Sequence, residues 1–158
     1  MNVRLAIPAE AEECWKIRNQ AIRHGCIGSY DVAVIEAWTP AAMPEGYRRA
    51  IASNPFFVVD GPNSRPVATG FLDISAGSVE AVFTLPEYLG KGLGSLIIGA
   101  IKDEARRQGF KELVLSSTPN AQSFYEKHGF TVVSESLYPS SLAQTELRCI
   151  VMKTKIQA

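Results

Sequence analysis

The spacing of apolar and polar residues changes along the chain, and at its N-terminal end it predicts a strand followed by a helix. Val3 to Ile7 is short and apolar with a single charge at Arg4, which is typical of a strand. Pro8 then precedes an acidic first turn, and apolar residues follow at helical spacing until His24. We therefore expect a helix that ends at Gly25, because glycine favours helix termination.

The segment from Gly28 to Asn54 carries weaker signals. Asp31 could cap a short helix that runs through Trp38, since its side chain can accept a hydrogen bond from the first turn. Pro40 breaks that helix, and Pro44 to Ala52 could form another. The pattern here favours two short helices.

The middle of the chain has the β-branched and aromatic runs of a sheet. Phe56 to Val59 and Val67 to Ile74 flank turn residues at Gly61 to Asn63, which predicts a hairpin. Val79 to Leu85 is a further apolar run that ends before Pro86. Three successive strands are therefore expected.

A glycine-rich stretch separates this last strand from an amphipathic helix. The stretch is Gly90 to Gly94, and apolar residues then recur at helical spacing as far as Ala105. Gly109 supplies the stop signal. The pattern thus predicts a strand, a glycine turn and a helix in that order.

The remaining residues predict a mixed succession of elements in one domain. These elements are a strand at Leu113 to Leu115, a helix from Thr118-Pro119 to His128-Gly129, and strands near Phe130 to Ser134 and Thr145 to Met152. No repeat or low-complexity linker divides the chain. We therefore expect a single α/β domain over residues 1–158.

Composition excludes several classes of partner and compartment. Lys+Arg and Asp+Glu both total 16, so no excess positive charge indicates nucleic acid or an anionic membrane. The odd set of Cys14, Cys26 and Cys149 suits reduced, buried thiols. His24 and His128 fit no metal-ligating motif, so no metal is expected. Because the chain also lacks an apolar segment of about 20 residues, we expect a soluble cytoplasmic protein.

The glycine-rich turn has the chemistry of an anion site. A helix N-terminus offers unpaired N–H groups, and glycine lets a ligand approach the backbone. The Walker pattern is absent, and Gly90, Gly92 and Gly94 do not fit G-x-G-x-x-G, which disfavours nucleoside triphosphates and dinucleotides. A tight turn whose glycines adopt positive φ explains the motif equally well. The motif alone leaves both interpretations open.

Two motifs in sequence resemble a known enzyme family. Val82 to Gly94, VFTLPEYLGKGLG, resembles the coenzyme-A-binding motif of GNAT acetyltransferases, a strand ending near proline followed by [Q/R]-x-x-G-x-[G/A]. Asn120 to Phe130, NAQSFYEKHGF, resembles the second family signature, N-x-x-x-x-F-Y-x-K-x-G-F. The resemblance implies an acetyl-coenzyme A-dependent N-acetyltransferase with the single-domain GNAT fold, a mixed and mostly antiparallel central sheet flanked by about four helices.

The resemblance also implies which residues bind the coenzyme. The family usually has Gln or Arg where this chain has Leu89, so a side-chain contact near the pyrophosphate is missing, whereas the backbone amides of Gly90 to Ser95 do not depend on it. Asn120 would bind the pantetheine arm, or it could be only a turn or cap residue. The expected coenzyme-binding residues are Thr84, Leu85, Leu89, Gly90, Lys91, Gly92, Leu93, Gly94, Ser95, Asn120, Ser123 and Lys127.

Catalytic roles follow from the same resemblance. An alkyl ammonium has a pKa of about 10, so a base must take its proton before the amine attacks the thioester. Glu80 matches the glutamate that does this through water in some relatives, although it could be a solvent-facing carboxylate. Tyr125 matches the proton donor to the departing thiolate, although it could be a core aromatic. Backbone N–H groups at Thr84 and Leu85 would bind the oxyanion.

The acceptor site of the family lies between its first two helices and the loop joining the last strands. Here those segments are about Gly25 to Trp38 and Leu137 to Gln144. Candidate lining residues are Tyr30, Glu36, Trp38 and Tyr138, each of which could equally be a core or surface residue. The mixture suits a small polar amine or an exposed protein N-terminus. Dimers are common in this family, which favours a homodimer, and the residues themselves do not decide the oligomeric state.

Three classes of function therefore compete. The first is an acetyltransferase that transfers the group directly in a ternary complex. The second is a non-catalytic acyl-coenzyme A sensor or interaction module, for which Leu89 is the hint. The third is an unrelated α/β phosphate-binding protein, which would make the Asn120 to Phe130 match a coincidence.

Overall fold

The computed structural model describes residues 1–156 and contains a seven-stranded sheet with five α-helices in that range. The strands are β1 (Val3–Leu5), β2 (Phe56–Asp60), β3 (Pro66–Asp73), β4 (Ser78–Thr84), β5 (Glu112–Ser117), β6 (Thr131–Ser140) and β7 (Thr145–Lys155). The helices are α1 (Ala11–Gly25), α2 (Val32–Trp38), α3 (Glu45–Ser53), α4 (Leu93–Arg107) and α5 (Gln122–Lys127). Single 3₁₀ turns at Pro8–Glu10, Pro86–Tyr88 and Pro119–Ala121 precede α1, α4 and α5.

These elements confirm the predicted α/β fold class with its mostly antiparallel sheet. The two short helices expected after Gly28 form as α2 and α3, and Asp31 is the N-cap residue of α2 but makes no side-chain capping hydrogen bond. The predicted end of the sixth strand near Ser134 is wrong, because β6 continues to Ser140. Pairing with β7 supplies the hydrogen bonds that extend it, and the local sequence does not reveal that pairing.

The sheet order is β1-β2-β3-β4-β5-β7-β6. All neighbouring strands are antiparallel except β4 and β5, which are parallel and pair only where Ser78 lies opposite Val114. The remainder of β4 therefore has no ladder with β5 in the described chain. This branch point leaves a gap in the centre of the sheet.

Helices cover both faces of the sheet and bury separate apolar clusters. The larger cluster joins α4 to the central strands through residues such as Ile97, Leu72 and Met152. On the other face, α1 and α3 bury Cys14 and Ile51, and α1 also packs against α2. A three-layer arrangement of this kind holds the strand ends rigidly around the central gap.

A bulge in β4 lies immediately after the branch point. The register of β3 and β4 shifts between Thr69 and Phe71, and Ala81 adopts a positive φ of 54° opposite this shift. The Thr69 hydroxyl donates a hydrogen bond to the Ala81 carbonyl at 3.2 Å. Because a bulge bends the strand that carries it, β4 changes direction just before it reaches the glycine-rich turn.

Three further features of the described chain concern its cysteines, possible metal ligands and apolar helices. Cys14, Cys26 and Cys149 are free and buried. Residues 1–156 contain no group of three or more His, Cys, Asp or Glu side chains that could hold a metal ion. None of the helices in this range has the length and apolar character required to cross a bilayer.

Candidate active site

A cavity of about 510 Å³ lies beside the gap in the sheet. Its wall is formed by the C-terminal end of α1, the second half of β4, the first turn of α4, and α5. The predicted site residues that line it are Thr84, Leu89, Gly90, Gly92, Leu93, Gly94, Ser95, Asn120, Tyr125 and Lys127. The cavity wall does not include Leu85, Lys91, Ser123 or Glu80.

One end of the cavity is a helix N-terminus with unsatisfied amides. Gly92 is the N-cap of α4, and it has a left-handed φ of 77° and no side-chain cap. The first hydrogen bond of this helix runs from the Leu96 N–H to the Gly92 carbonyl at 3.2 Å. The amides of residues 93–95 precede that bond, so they can donate to an anion in the cavity.

Gly94 brings the start of α4 into close contact with α5. A Cβ atom at this position would lie 2.9 Å from the Phe124 ring, so only glycine permits the present packing. Phe124 in turn packs edge-on against Tyr125, with ring centroids 5.2 Å apart. The glycine-rich turn and the phenol are therefore fixed relative to each other by one contact chain.

The prediction that Leu85 presents its backbone N–H to a ligand is wrong. That N–H donates to the Val67 carbonyl at 2.9 Å, and the Leu85 side chain packs against the core. Successive residues of a strand direct their amides to opposite sides, so the N–H of Thr84 points away from β3 and toward the gap. Of the two predicted donors, Thr84 alone is available.

Tyr125 lies in the cavity wall and is also part of the core. Its side chain is 8% exposed, and its ring contacts Phe130 as well as Phe124. Burial raises the pKa of the phenol, and the negative charge of Glu80 raises it further. The hydroxyl therefore stays protonated at neutral pH and can act as a proton donor.

Glu80 lies on β4 close enough to Tyr125 to influence its ionisation, although it does not line the cavity. Burial raises the pKa of its carboxyl above the ordinary value, and a 2.7 Å hydrogen bond from the Ser78 hydroxyl opposes that effect. The charge of Asp73 also raises this pKa. The half-buried setting differs from the solvent-facing alternative, and a raised pKa suits a carboxylate that accepts protons.

The opposite wall carries Asn120 and Cys26. The Cys26 thiol, which is 3% exposed, donates to the Asn120 side-chain oxygen at 3.4 Å. This contact leaves the Asn120 amide nitrogen next to Gly25, where it can donate to a ligand in the cavity. Lys127 is an exposed cation at the same mouth, whereas Ser123 and Lys91 are exposed away from the wall.

The four residues predicted to line an acceptor site do not form one common site. Tyr30 packs edge-on against Trp38 at 5.6 Å, and its hydroxyl donates to the Arg148 carbonyl at 2.5 Å. Glu36 lines a separate groove with Arg23, and the Tyr138 side chain on β6 is 52% exposed. None of the four lines the main cavity. Tertiary packing between the helices determines where these four side chains lie, and the local sequence does not specify that packing.

Several wall residues were not identified from the sequence. The cavity has an apolar lining that includes Ile22, Cys26, Phe83 and Tyr88. His128 lies beside Ser95 at the end formed by the first turn of α4. The apolar residues carry the same pattern as core positions, which explains why they were missed. His128 is the C-cap residue of α5 and lies within the second motif. This position was the only sequence feature that could have identified it as a wall residue.

Comparison with known proteins finds relatives of this chain. The sequence model described as "Acetyltransferase (GNAT) domain" matches residues 16–150. An uncharacterized acetyltransferase of Streptococcus pyogenes is 34% identical over 95 residues, which cover 54% of this chain and 66% of the streptococcal protein. The matched region thus spans slightly less than two thirds of that relative.

Solved structures show the same fold. A GCN5-related N-acetyltransferase from Rhodopseudomonas palustris superimposes with a TM-score of 0.86 at 21% identity, covering 97% of this chain and 94% of that one. The structure of yncA from Salmonella typhimurium with its cofactor acetyl-CoA gives a TM-score of 0.72 at 22% identity, with coverage of 100% and 95%. These similarities extend over nearly the whole chain.

Proposed function

Since the chain belongs to the GNAT acetyltransferase family by its match over residues 16–150, we propose that it transfers an acetyl group from acetyl-coenzyme A to the primary amine of a small molecule or a protein. This proposal rests on one observation. The cavity has the N–H groups of a helix N-terminus, which have no partner within the helix, at one end, and the buried Tyr125 phenol in its wall. The amides suit a diphosphate, and the phenol suits a departing thiolate.

The residues of the cavity fit coenzyme A as the donor. The amides of residues 93–95 would hold the diphosphate, and the gap beyond the β4–β5 branch point would admit the extended pantetheine arm. The Asn120 amide would contact that arm. Bound there, the coenzyme supplies an activated thioester.

Three buried free thiols suit a reducing compartment, so we propose that the protein acts in the cytoplasm. The homodimer stays a prediction.

The proposed mechanism uses two side chains to move protons. Glu80 accepts the ammonium proton of the acceptor through water, which frees the nitrogen lone pair to attack the thioester carbon. The Thr84 N–H stabilises the negative charge that develops on the carbonyl oxygen. Tyr125 then donates its proton to the sulfur as the carbon–sulfur bond breaks. The nitrogen loses its second proton, which returns through water to the Tyr125 phenolate, so the products are the amide, a free thiol and the original phenol.

The proposal is tested by coenzyme A binding followed by turnover. Coenzyme A should raise the unfolding midpoint, because a ligand that binds only the native state stabilises it. Release of free thiol from acetyl-coenzyme A in the presence of a panel of small amines and N-terminal peptides should then identify the acceptor. No stabilisation would contradict both coenzyme binding and transfer.

The second candidate is an acyl-coenzyme A sensor, and Leu89 is the observation that favours it. This residue lines the cavity mouth with 53% of its side chain exposed, at the position where the family usually supplies Gln or Arg. Stabilisation by coenzyme A without thiol release across the whole amine panel would support the sensor over the enzyme.

Glu80→Gln is expected to lower kcat/KM about 100-fold at neutral pH, since a general base contributes on this scale. In the wild type, kcat/KM should fall on acidification with a midpoint above the ordinary glutamate value of 4.5, because burial raises the pKa of Glu80. The variant should lose this acidic limb, as measured by a pH–rate profile. Glu87→Gln, at an exposed carboxylate in the following turn, is the control. An unchanged acidic limb in Glu80→Gln would assign the base to another group.

The same substitution has an independent effect on stability. The folded chain holds the Glu80 proton more tightly than the unfolded chain, so the free energy of unfolding falls as pH rises through the raised pKa. Glu80→Gln removes this loss and should be more stable than the wild type at neutral pH but not at acidic pH. Urea titrations at both pH values measure the difference.

Cys26→Ala and Cys149→Ala should each keep kcat within about threefold of the wild type, because direct attack needs no thiol nucleophile. Burial raises the pKa of Cys26 to about 11 and also raises the pKa of Cys149, so both stay protonated and unreactive. Steady-state kinetics with both substrates varied should give intersecting lines. Parallel lines, together with loss of turnover in either variant, would indicate an acyl-cysteine intermediate.

A further inference from the structure

His128 lies at the end of the cavity that is formed by the first turn of α4, and the proposed mechanism gives it no role. Its Nε2 atom lies 3.0 Å from the Ser95 hydroxyl, which belongs to the first turn of α4. Its ring packs on Phe124 with a centroid distance of 4.8 Å. Both His128 and Ser95 line the cavity, so the imidazole is fixed next to the unsatisfied amides of that turn.

The groups around His128 are donors and cations. Lys102 on α4 donates to the His128 carbonyl, and Lys127 on α5 lines the same cavity. Burial lowers the pKa of the imidazole, and the charges of Lys102 and Lys127 lower it further, so it is neutral in the unliganded protein at neutral pH. His24, on α1 across the cavity, is the other titratable imidazole of the wall. An anion in this corner would meet donors and positive charge.

We propose that His128 is a further phosphate ligand, donating from Nε2 beside the Ser95 hydroxyl to a phosphate group of coenzyme A. The inference rests on the proposed coenzyme site and adds to it a side-chain donor. It also offers a physical reason why the chain can have the apolar Leu89 where the family has a polar side chain. His128 on the α5 side would supply a charge-assisted hydrogen bond to the same phosphates.

Proton uptake on binding follows from this arrangement. An anion beside the ring offsets the repulsion from Lys102 and Lys127, so the pKa of His128 rises when phosphate binds. When a group has a higher pKa in the complex than in the free protein, its protonation strengthens binding. The affinity then rises as pH falls through the pKa of the complex, and it stops rising once pH is below the pKa of the free protein. Affinity for coenzyme A should therefore increase on mild acidification, with a proton taken up.

Isothermal titration of coenzyme A into the full chain, in buffers of different ionisation enthalpy, measures both affinity and proton uptake. His128→Gln should bind about tenfold more weakly than the wild type at mildly acidic pH, approach it at alkaline pH, and take up fewer protons. Lys111→Gln removes an exposed positive charge outside the cavity wall, so it is the control and should follow the wild type. Titration of the coenzyme's own phosphates contributes equally to all three proteins.

A lysine at this position separates a ligand from a merely structural role. His128→Lys carries a permanent charge, so it should bind coenzyme A at alkaline pH at least as tightly as the wild type and with weaker pH dependence. If His128 only packs α5 against α4, Gln and Lys would both weaken binding at every pH, and the inference fails. Equal affinity and proton uptake in wild type and His128→Gln would also overturn it, while coenzyme binding by the wild type would leave the proposed function standing. If the wild type does not bind coenzyme A, the proposed function fails first.

Discussion

Tyr125→Phe is expected to lower kcat by one or more orders of magnitude while the affinity for coenzyme A stays nearly the same. The substitution removes one hydroxyl from a ring that is 8% exposed and leaves the contacts with Phe124 and Phe130 in place. Burial and Glu80 keep this hydroxyl protonated, so its removal deprives the departing thiolate of its donor. Thiol-release kinetics and a coenzyme titration measure the two effects separately.

Tyr47→Phe is the matched control for this prediction. Its hydroxyl is also buried, and Tyr47 does not line the cavity, so its loss should leave turnover unchanged. Unchanged kcat in Tyr125→Phe would remove the phenol from the mechanism. Equal losses in both variants would indicate a general structural effect in place of proton donation.

Gly92→Val is expected to weaken coenzyme A binding by at least about tenfold, because it disturbs both features of the anion site. The left-handed φ of 77° is unfavourable for a β-branched residue, and the side chain would project into the open space before α4, where no protein atom lies within 4 Å of the added Cβ. Backbone distortion would turn the first-turn amides away from the ligand. Calorimetric titration with coenzyme A gives the loss in affinity.

Gly99→Val provides the control within the same helix. Gly99 also has no atom within 4 Å of the added Cβ, but it is exposed and has ordinary helical geometry in α4. The substitution should leave affinity unchanged and alter stability by well under about 1 kcal/mol. Wild-type binding by Gly92→Val would show that the coenzyme does not use these amides.

The local pattern was sufficient for the elements that carry the motifs. The helical spacing after Gly92 predicted α4, and the proline and glycine signals around Asn120 to Phe130 predicted α5. These signals are reliable because helix starts and stops depend on capping and backbone preferences of nearby residues. The end of β6 was wrong because strand length depends on a distant partner.

The candidate site was predictable only where its residues lie within the two motifs or directly after them. Gly90 to Gly94 and Tyr125 fall inside the motifs, Ser95 follows the first one, and the structure brings most of these residues into one cavity wall. Leu85 was assigned a free amide because its pairing with Val67 is a long-range contact. Tyr30 and Trp38 were expected at an acceptor site, but they pack against each other. His128 was considered structural because nothing in the sequence reveals that α5 ends beside Ser95.

The sequence by itself determined the order of strands and helices, the glycine turn and the family, since each depends on residues that are neighbours in the chain. The tertiary structure alone decided that β4 and β5 part after Ser78, which amide faces the gap, and which side chains enclose the cavity. Those features arise from contacts between segments far apart in sequence, where pairing and packing override local preference.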